Sequence, residues 1–198
     1  MPKMTVSRMI RPTFEPATVE SRQHRPWIAT YTGIQFFFPR YVGEEIDPDT
    51  LDIYDIAHSL AQLTRFNGHL YQPYSVAQHC CIVSDMVSDY PLNGLLHDAS
   101  EAYTGDFPTP IKHLIPQLFE LEESIDKAVA KKYNLAYPVP SSVRKADKDI
   151  QLREVRMFDP PPADGNINVH MDIIPWDWKK SKKEFLQRYD TLVRERNK

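Results

Sequence analysis

Cysteine is scarce in this chain: there are two, Cys80 and Cys81, and they are neighbours. Adjacent cysteines on a helix do not readily pair, and there is no third, so a disulfide scaffold is excluded. No apolar run approaches the roughly 20 residues of a membrane span, and residues 1–6 lack the apolar core of a signal peptide. These absences predict a reduced, cytoplasmic protein with no membrane partner. An excess of one charge is missing too. The 24 Lys and Arg against 27 Asp and Glu leave a net charge of −3, so there is no broad basic field for nucleic acid. No internal repeat or low-complexity tract is evident. What is present is a chain of 198 residues, 41% of them apolar, enough for one domain with a real core.

Periodicity predicts an all-α fold with a small N-terminal β-hairpin. Residues 1–26, with Pro12, Pro16 and Pro26, read as an extended arm that a partner subunit would order, and a homo-oligomer is expected. Residues 27–38 are aromatic and β-branched with Gly33 near the middle, which reads as a hairpin. Apolar positions Ile53, Ile56, Ala57, Leu60 and Leu63 have helical spacing, predicting a helix over 53–66 stopped by Asn67-Gly68. Ser75 and Gln78 form a capping-box pattern for a helix to about Val87. A third helix is predicted over 92–103, ended by Gly105. A fourth covers 118–133, with acids early and lysines late. A fifth, capped by Ser141 or Ser142, runs to about Met157, and a last one spans 180–196. Asp159 to Asn166 reads as an irregular loop. The helical core is therefore placed at 53–157, with 158–198 a C-terminal loop and helix.

The chemistry centres on His97 and Asp98, adjacent ionisable residues directly after Leu95-Leu96. Burying such a pair is costly unless something uses it, and a divalent metal uses both. His79 lies 18 residues upstream and Asp147 49 residues downstream of Asp98, each on its own predicted helix, so a bundle can bring all four to one ion. Singly, each His reads equally well as a hydrogen-bonded core residue, and Asp147, among Lys145, Lys148 and Asp149, as a solvated helix face. Glu101, four residues after His97, shares its helix face. A carboxylate there can manage the proton of a water activated by a metal. Asp106 orients the same water, holds a second ion, or caps the helix that starts near Thr109. Lys112 offers a point charge for phosphate.

The order of a lone His, then His-Asp, then a distant Asp resembles the HD-domain phosphohydrolases. The run from His97 through Thr104-Gly105-Asp106-Phe107-Pro108-Thr109-Pro110 to Lys112 looks like the segment found in bacterial 5'-deoxynucleotidases and related phage enzymes. The resemblance covers Ile53 to about Arg156. It implies an HD-domain helical bundle, a divalent metal on His79, His97, Asp98 and Asp147, and a catalytic Glu101. The two-nitrogen, two-carboxylate donor set suits Zn, Co or Mn, with a second Mg or Mn brought by substrate phosphates. Arg65-Phe66 matches an Arg–aromatic pair that implies phosphate binding by Arg65 and sugar contact by Phe66. Residues 67–73 depart from the enteric pattern and look phage-like, which favours a dATP triphosphohydrolase over a 5'-deoxynucleotidase of deoxynucleoside monophosphates. A non-catalytic nucleotide-sensing module is the rival of another class, and the full ligand set with Glu101 speaks against it. His58, His69, His113 and the Trp176-Asp177-Trp178 cluster read as structural.

Overall fold

A computed structural model describes residues 25–41, 43–158 and 173–198. The expected arm up to residue 24 and the loop at 159–166 lie outside the described residues. Two short antiparallel strands, β1 (Trp27–Ala29) and β2 (Gln35–Phe37), pair with Ile28 opposite Phe36. Their hairpin is fastened to the first helix, α1 (Ile53–Gln62), because buried Asp55 accepts bonds from the Thr32 amide (2.6 Å) and hydroxyl (2.8 Å). The other helices are α2 (Val76–Met86), α3 (Pro91–Leu96), α4 (Glu101–Thr104), α5 (Thr109–Leu114), α6 (Gln117–Tyr133), α7 (Ser141–Glu154) and α8 (Trp178–Arg196). The result is an all-α bundle with a minor hairpin, the architecture of an HD domain.

Two cores form. The larger joins Phe36, Leu60, Val76, Cys80, Leu95, Ile125 and Phe185, so it unites the hairpin, α1, α2, α3, α6 and α8. The smaller packs Val83 of α2 and Val87 just after it against Val143, Ala146 and Ile150 of α7, with Tyr74 and Ile173. Helix α2 is therefore apolar on both sides, which is why it is buried almost throughout.

Three predicted boundaries change. The first helix ends at Gln62, not Phe66. Leu63 and Thr64 are extended, Thr64 bridges Ser75, and Arg65–Gly68 form a 3₁₀ turn in which Phe66 (φ 55°) and Asn67 (φ 53°) are left-handed. Tertiary pairing to the strand-like residues before α2 thus overrides the helical period. The helix predicted over 92–103 divides at 97–100, where amide bonds tighten to the third residue back (Ala99 to Leu96, Glu101 to Asp98). Neither Ser141 nor Ser142 caps α7; Pro140 precedes it with no side-chain bond. Ser75 does cap α2 through the Gln78 amide. Gln78 completes no box, because its side chain instead binds the Ile174 carbonyl (2.8 Å) and the Trp176 amide (2.7 Å).

Gly94 decides how close α3 comes to α2. A Cβ there would lie 3.0 Å from Ser84 Cα and 3.1 Å from Ser84 N, both backbone atoms of α2. Gly94→Ala should therefore force the helices apart. Overpacking of this kind costs roughly 1–3 kcal/mol, more than the helix-propensity gain of about 0.5–1 kcal/mol. A melting temperature lowered by several degrees, roughly 2–4 °C per kcal/mol for a chain of this size, is expected in a thermal melt. An unchanged or raised value would show that the close approach is not needed.

Candidate metal centre

The four sequence-predicted ligands meet where the two cores join. His79 comes from the second turn of α2, His97 and Asp98 from the tightened turn after α3, and Asp147 from α7. His79 Nε2 lies 3.3 Å from His97 Nε2, 3.6 Å from Asp98 Oδ2 and 3.1 Å from Asp147 Oδ1. His97 Nε2 lies 3.3 Å from Asp98 Oδ2 and 3.8 Å from Asp147 Oδ1. Ligands at about 2.0–2.1 Å from a tetrahedral ion sit roughly 3.3 Å apart, so these separations suit one cation.

The tautomers fit as well. His79 Nδ1 faces the Glu154 carboxylate at 2.7 Å, and His97 Nδ1 faces the Gly94 carbonyl at 2.8 Å. Both partners only accept, so each Nδ1 carries a proton and each neutral ring presents its Nε2 lone pair to the shared point. Lone pairs and carboxylates collected together call for positive charge. Burial works against a charged His97, but Asp98 and Asp147 outweigh it and raise its pKa well above the ordinary imidazole value. Burial would likewise raise the Asp147 carboxyl, yet with a proton on the facing His79 and His97 Nε2 atoms it is held far below the usual range. A divalent cation would replace the proton that these groups otherwise hold. The neighbouring Cys80 thiol stays neutral, pushed up to about 11 by burial against the pull of His97.

Above the four lies a cavity of about 400 Å³ lined by every other predicted site residue: Arg65, Phe66, Glu101, Asp106 and Lys112. Glu101 is 6% exposed, and its Oε2 has no hydrogen-bond partner. Burial first, then Asp98 and Asp106, push its pKa well up, against Lys112 and Arg65. Asp106 is raised by burial and partly restored by Arg65. It caps nothing: α5 is preceded by Pro108 without a side-chain bond. Lys112 is no solvated surface lysine, since its Nζ sits 2.8 Å from Glu122 and 3.7 Å from Glu101. Arg65 is buried; Nη2 bonds Glu154 at 3.0 Å and Nη1 lies 3.7 Å from Asp98. Phe66 lies edge-on to Phe158 at 5.0 Å, with the Arg65 guanidinium 5.5 Å from its ring.

Four residues at this site escaped the sequence reading: Glu154, Glu122, Asp126 and Gln151. Glu154 is fully buried, and burial would raise its carboxyl, but His79, Arg65 and Tyr74 hold it at about 2. It lies seven residues after Asp147, two turns along one face, which is the signal that could have found it. Asp126, on α6, is pushed by burial to about 7 despite a hydrogen bond with Ser100. Gln151 donates to both Asp147 oxygens, at 3.1 and 3.4 Å.

Asp147 and Asp149 are two residues apart, yet Asp149 points to Lys145 at 2.6 Å. Asp147→Ala should therefore lose stoichiometric metal by elemental analysis and lose the metal-dependent rise in melting temperature that linkage provides. Asp149→Ala should keep both. The same occupancy in the two variants would remove Asp147 from the centre.

Comparison with known proteins follows this geometry. Residues 44–156 match the family model described as 5'-deoxynucleotidase YfbR-like. A protein of Escherichia coli named YfdR is 39% identical over 122 residues, covering 61% of this chain and 66% of its own. A 5'-deoxynucleotidase of Photobacterium profundum is 33% identical over 91 residues, 45% of this chain and 39% of its own, and one of Enterobacter is 29% identical over 103 residues, 51% and 43%. The chain thus spans just under two thirds of YfdR and about two fifths of these deoxynucleotidases. The matched span holds all four converging side chains and the cavity above them, and with more than half of its length inside that family model, this chain belongs to the YfbR-like 5'-deoxynucleotidases of the HD-domain superfamily.

Proposed function

We propose that the protein is a metal-dependent 5'-deoxynucleotidase that hydrolyses 2'-deoxynucleoside monophosphates to deoxynucleoside and phosphate. One observation carries this reading: two imidazoles with fixed tautomers meet Asp98 and Asp147, which line a cavity that also presents Arg65, Lys112 and a buried Glu101. The family and the deoxynucleotidases of Photobacterium and Enterobacter support it.

The triphosphohydrolase expectation gives way to the nucleotidase on the charge of the cavity. Its two cations are already matched by acids: Arg65 by Glu154 and Asp98, Lys112 by Glu122 and Glu101. A triphosphate brings several further negative charges that no lining side chain offsets, whereas one phosphate needs less. The volume, about 400 Å³, lies at the small end of the roughly 300–1,000 Å³ typical of ligand pockets.

His79, His97, Asp98 and Asp147 would hold the cation, and the mixed nitrogen–oxygen set suits Zn, Co or Mn. When bound, it supplies Lewis acidity and brings the pKa of a coordinated water toward neutrality. Glu101, with its unpartnered Oε2, takes the proton of the attacking water as the new O–P bond forms. It returns that proton to the 5' oxygen as the old O–P bond breaks. Its raised affinity for a proton suits this transfer. Arg65 and Lys112 offset charge on the phosphate oxygens, and Phe66 flanks the sugar, leaving little room for a 2'-hydroxyl.

Assays of Zn-, Co- and Mn-loaded protein against dNMPs, NMPs and dNTPs, with products resolved, test this. Orthophosphate from dNMPs should dominate, and NMPs should be poorer by on the order of tens of times, the scale of exclusion by one side chain. Glu101→Gln should keep its metal and lose roughly a hundredfold in turnover. Release of intact triphosphate from dNTPs at a higher kcat/KM would restore the triphosphohydrolase reading.

A further inference from the structure

We infer that Glu154 is a positioning residue that couples metal capture to phosphate capture. The inference rests on the proposed role of Arg65 toward phosphate. Glu154 ends α7, is wholly buried, and spends every bond on the site. Its Oε1 accepts from His79 Nδ1 at 2.7 Å and from the Tyr74 hydroxyl at 2.8 Å. Its Oε2 accepts from Arg65 Nη2 at 3.0 Å. One carboxylate therefore fixes the His79 ring that faces the metal position and anchors the guanidinium that lines the cavity.

The anchoring leaves Arg65 with donors to spare. Only Nη2 is committed at hydrogen-bond distance; Nη1 reaches Asp98 at 3.7 Å, and Nε is buried with no partner. A buried, unpartnered guanidinium N–H beside a cavity is costly unless a ligand oxygen satisfies it. Glu154 thus holds one edge of the fork from behind, and the rest remains for an anion.

The chemistry of the carboxylate is what permits both tasks. It presents two acceptors to two donors. An amide presents one acceptor and one donor, so Glu154→Gln must fail on one side. Either the amide nitrogen opposes the Arg65 N–H, or it donates to His79 Nδ1 and drives the ring proton to Nε2, where it blocks the metal.

The test uses Zn alone and inorganic phosphate as probes, followed by titration calorimetry on the full chain, so turnover is not needed. Glu154→Gln should bind Zn about 10–100-fold more weakly, the usual effect of losing the outer partner of a metal histidine. With Zn saturating, it should also bind phosphate about tenfold or more weakly, the scale of one charge-assisted hydrogen bond. Tyr74→Phe, which removes only the third partner of Glu154, should keep both affinities within a few-fold. Wild-type protein supplies a second readout independent of how the variant folds. On phosphate addition to the Zn form, the His79 Nδ1 proton resonance should move more than that of His97, whose Nδ1 proton rests on the Gly94 carbonyl. Unchanged phosphate affinity in Zn-saturated Glu154→Gln, or equal movement of the two imidazole resonances, would overturn the coupling. A wild type that binds Zn but no phosphate would overturn it as well. A wild type that binds no metal would instead bring down the reading of the site itself.

Discussion

Two imidazole nitrogens 3.3 Å apart, each with its lone pair turned toward the other, repel unless positive charge sits between them. Much of the surrounding structure serves to hold that arrangement. The His97 ring is set by a carbonyl in the last turn of α3, and α3 reaches α2 only because Gly94 has no side chain. The His79 ring is set by a carboxylate from the far end of α7. Asp98, next to His97, and Asp147, seven residues before Glu154 on α7, then close the charge balance. A cation at this point relieves four strained electrostatic demands at once, while a packed apolar substitute could satisfy none of them.

The same reasoning extends outward through the acids. Asp98, Glu101, Asp106, Glu122 and Asp126 crowd one side of the cavity, and their mutual repulsion together with burial raises Glu101, Asp106, Glu122 and Asp126. Lys112, delivered by the turn after Gly105, is the cation that makes this crowd tolerable: it touches Glu122 and approaches Glu101. A carboxyl with a raised proton affinity suits acid–base chemistry. Here the rise comes from burial and from acids crowded around few cations.

How much of this was legible in the sequence depends on where the determining contacts lie. That His79, His97, Asp98 and Asp147 come together was foreseeable because His79 and Asp147 lie on helices and the His-Asp pair directly follows one. The hairpin was readable from its β-branched and aromatic run. The end of α1 was not. Its apolar period continues to Leu63, and only the pairing of Thr64 with Ser75 and the left-handed Phe66 reveal the break. Nothing local marks a phenylalanine for that conformation, so tertiary structure imposes it. Glu154 was hidden for a related reason. Between Arg153 and Arg156 it reads as one more charge on a solvated face, and its three partners come from residues 65, 74 and 79. Lys112, read as a charge for phosphate, does line the cavity although α5 has no buried residue.

The position of the site between two cores gives these polar contacts a structural meaning. Helix α7 belongs to the smaller core, built from Val143, Ala146 and Ile150 against α2, whereas His97 and Asp98 follow directly from the larger one. Helix α2 contributes apolar residues to both cores, and a polar network adds a second link: Asp147 to His79 and His97, Glu154 to His79 and Arg65. A bond network that joins two separately packed units fixes their relative placement more sharply than apolar contact, because hydrogen bonds are directional and apolar burial is not. The metal-type residues therefore also help to register the two cores, and the precision a preorganised site needs would come from the same few side chains that would hold the ion.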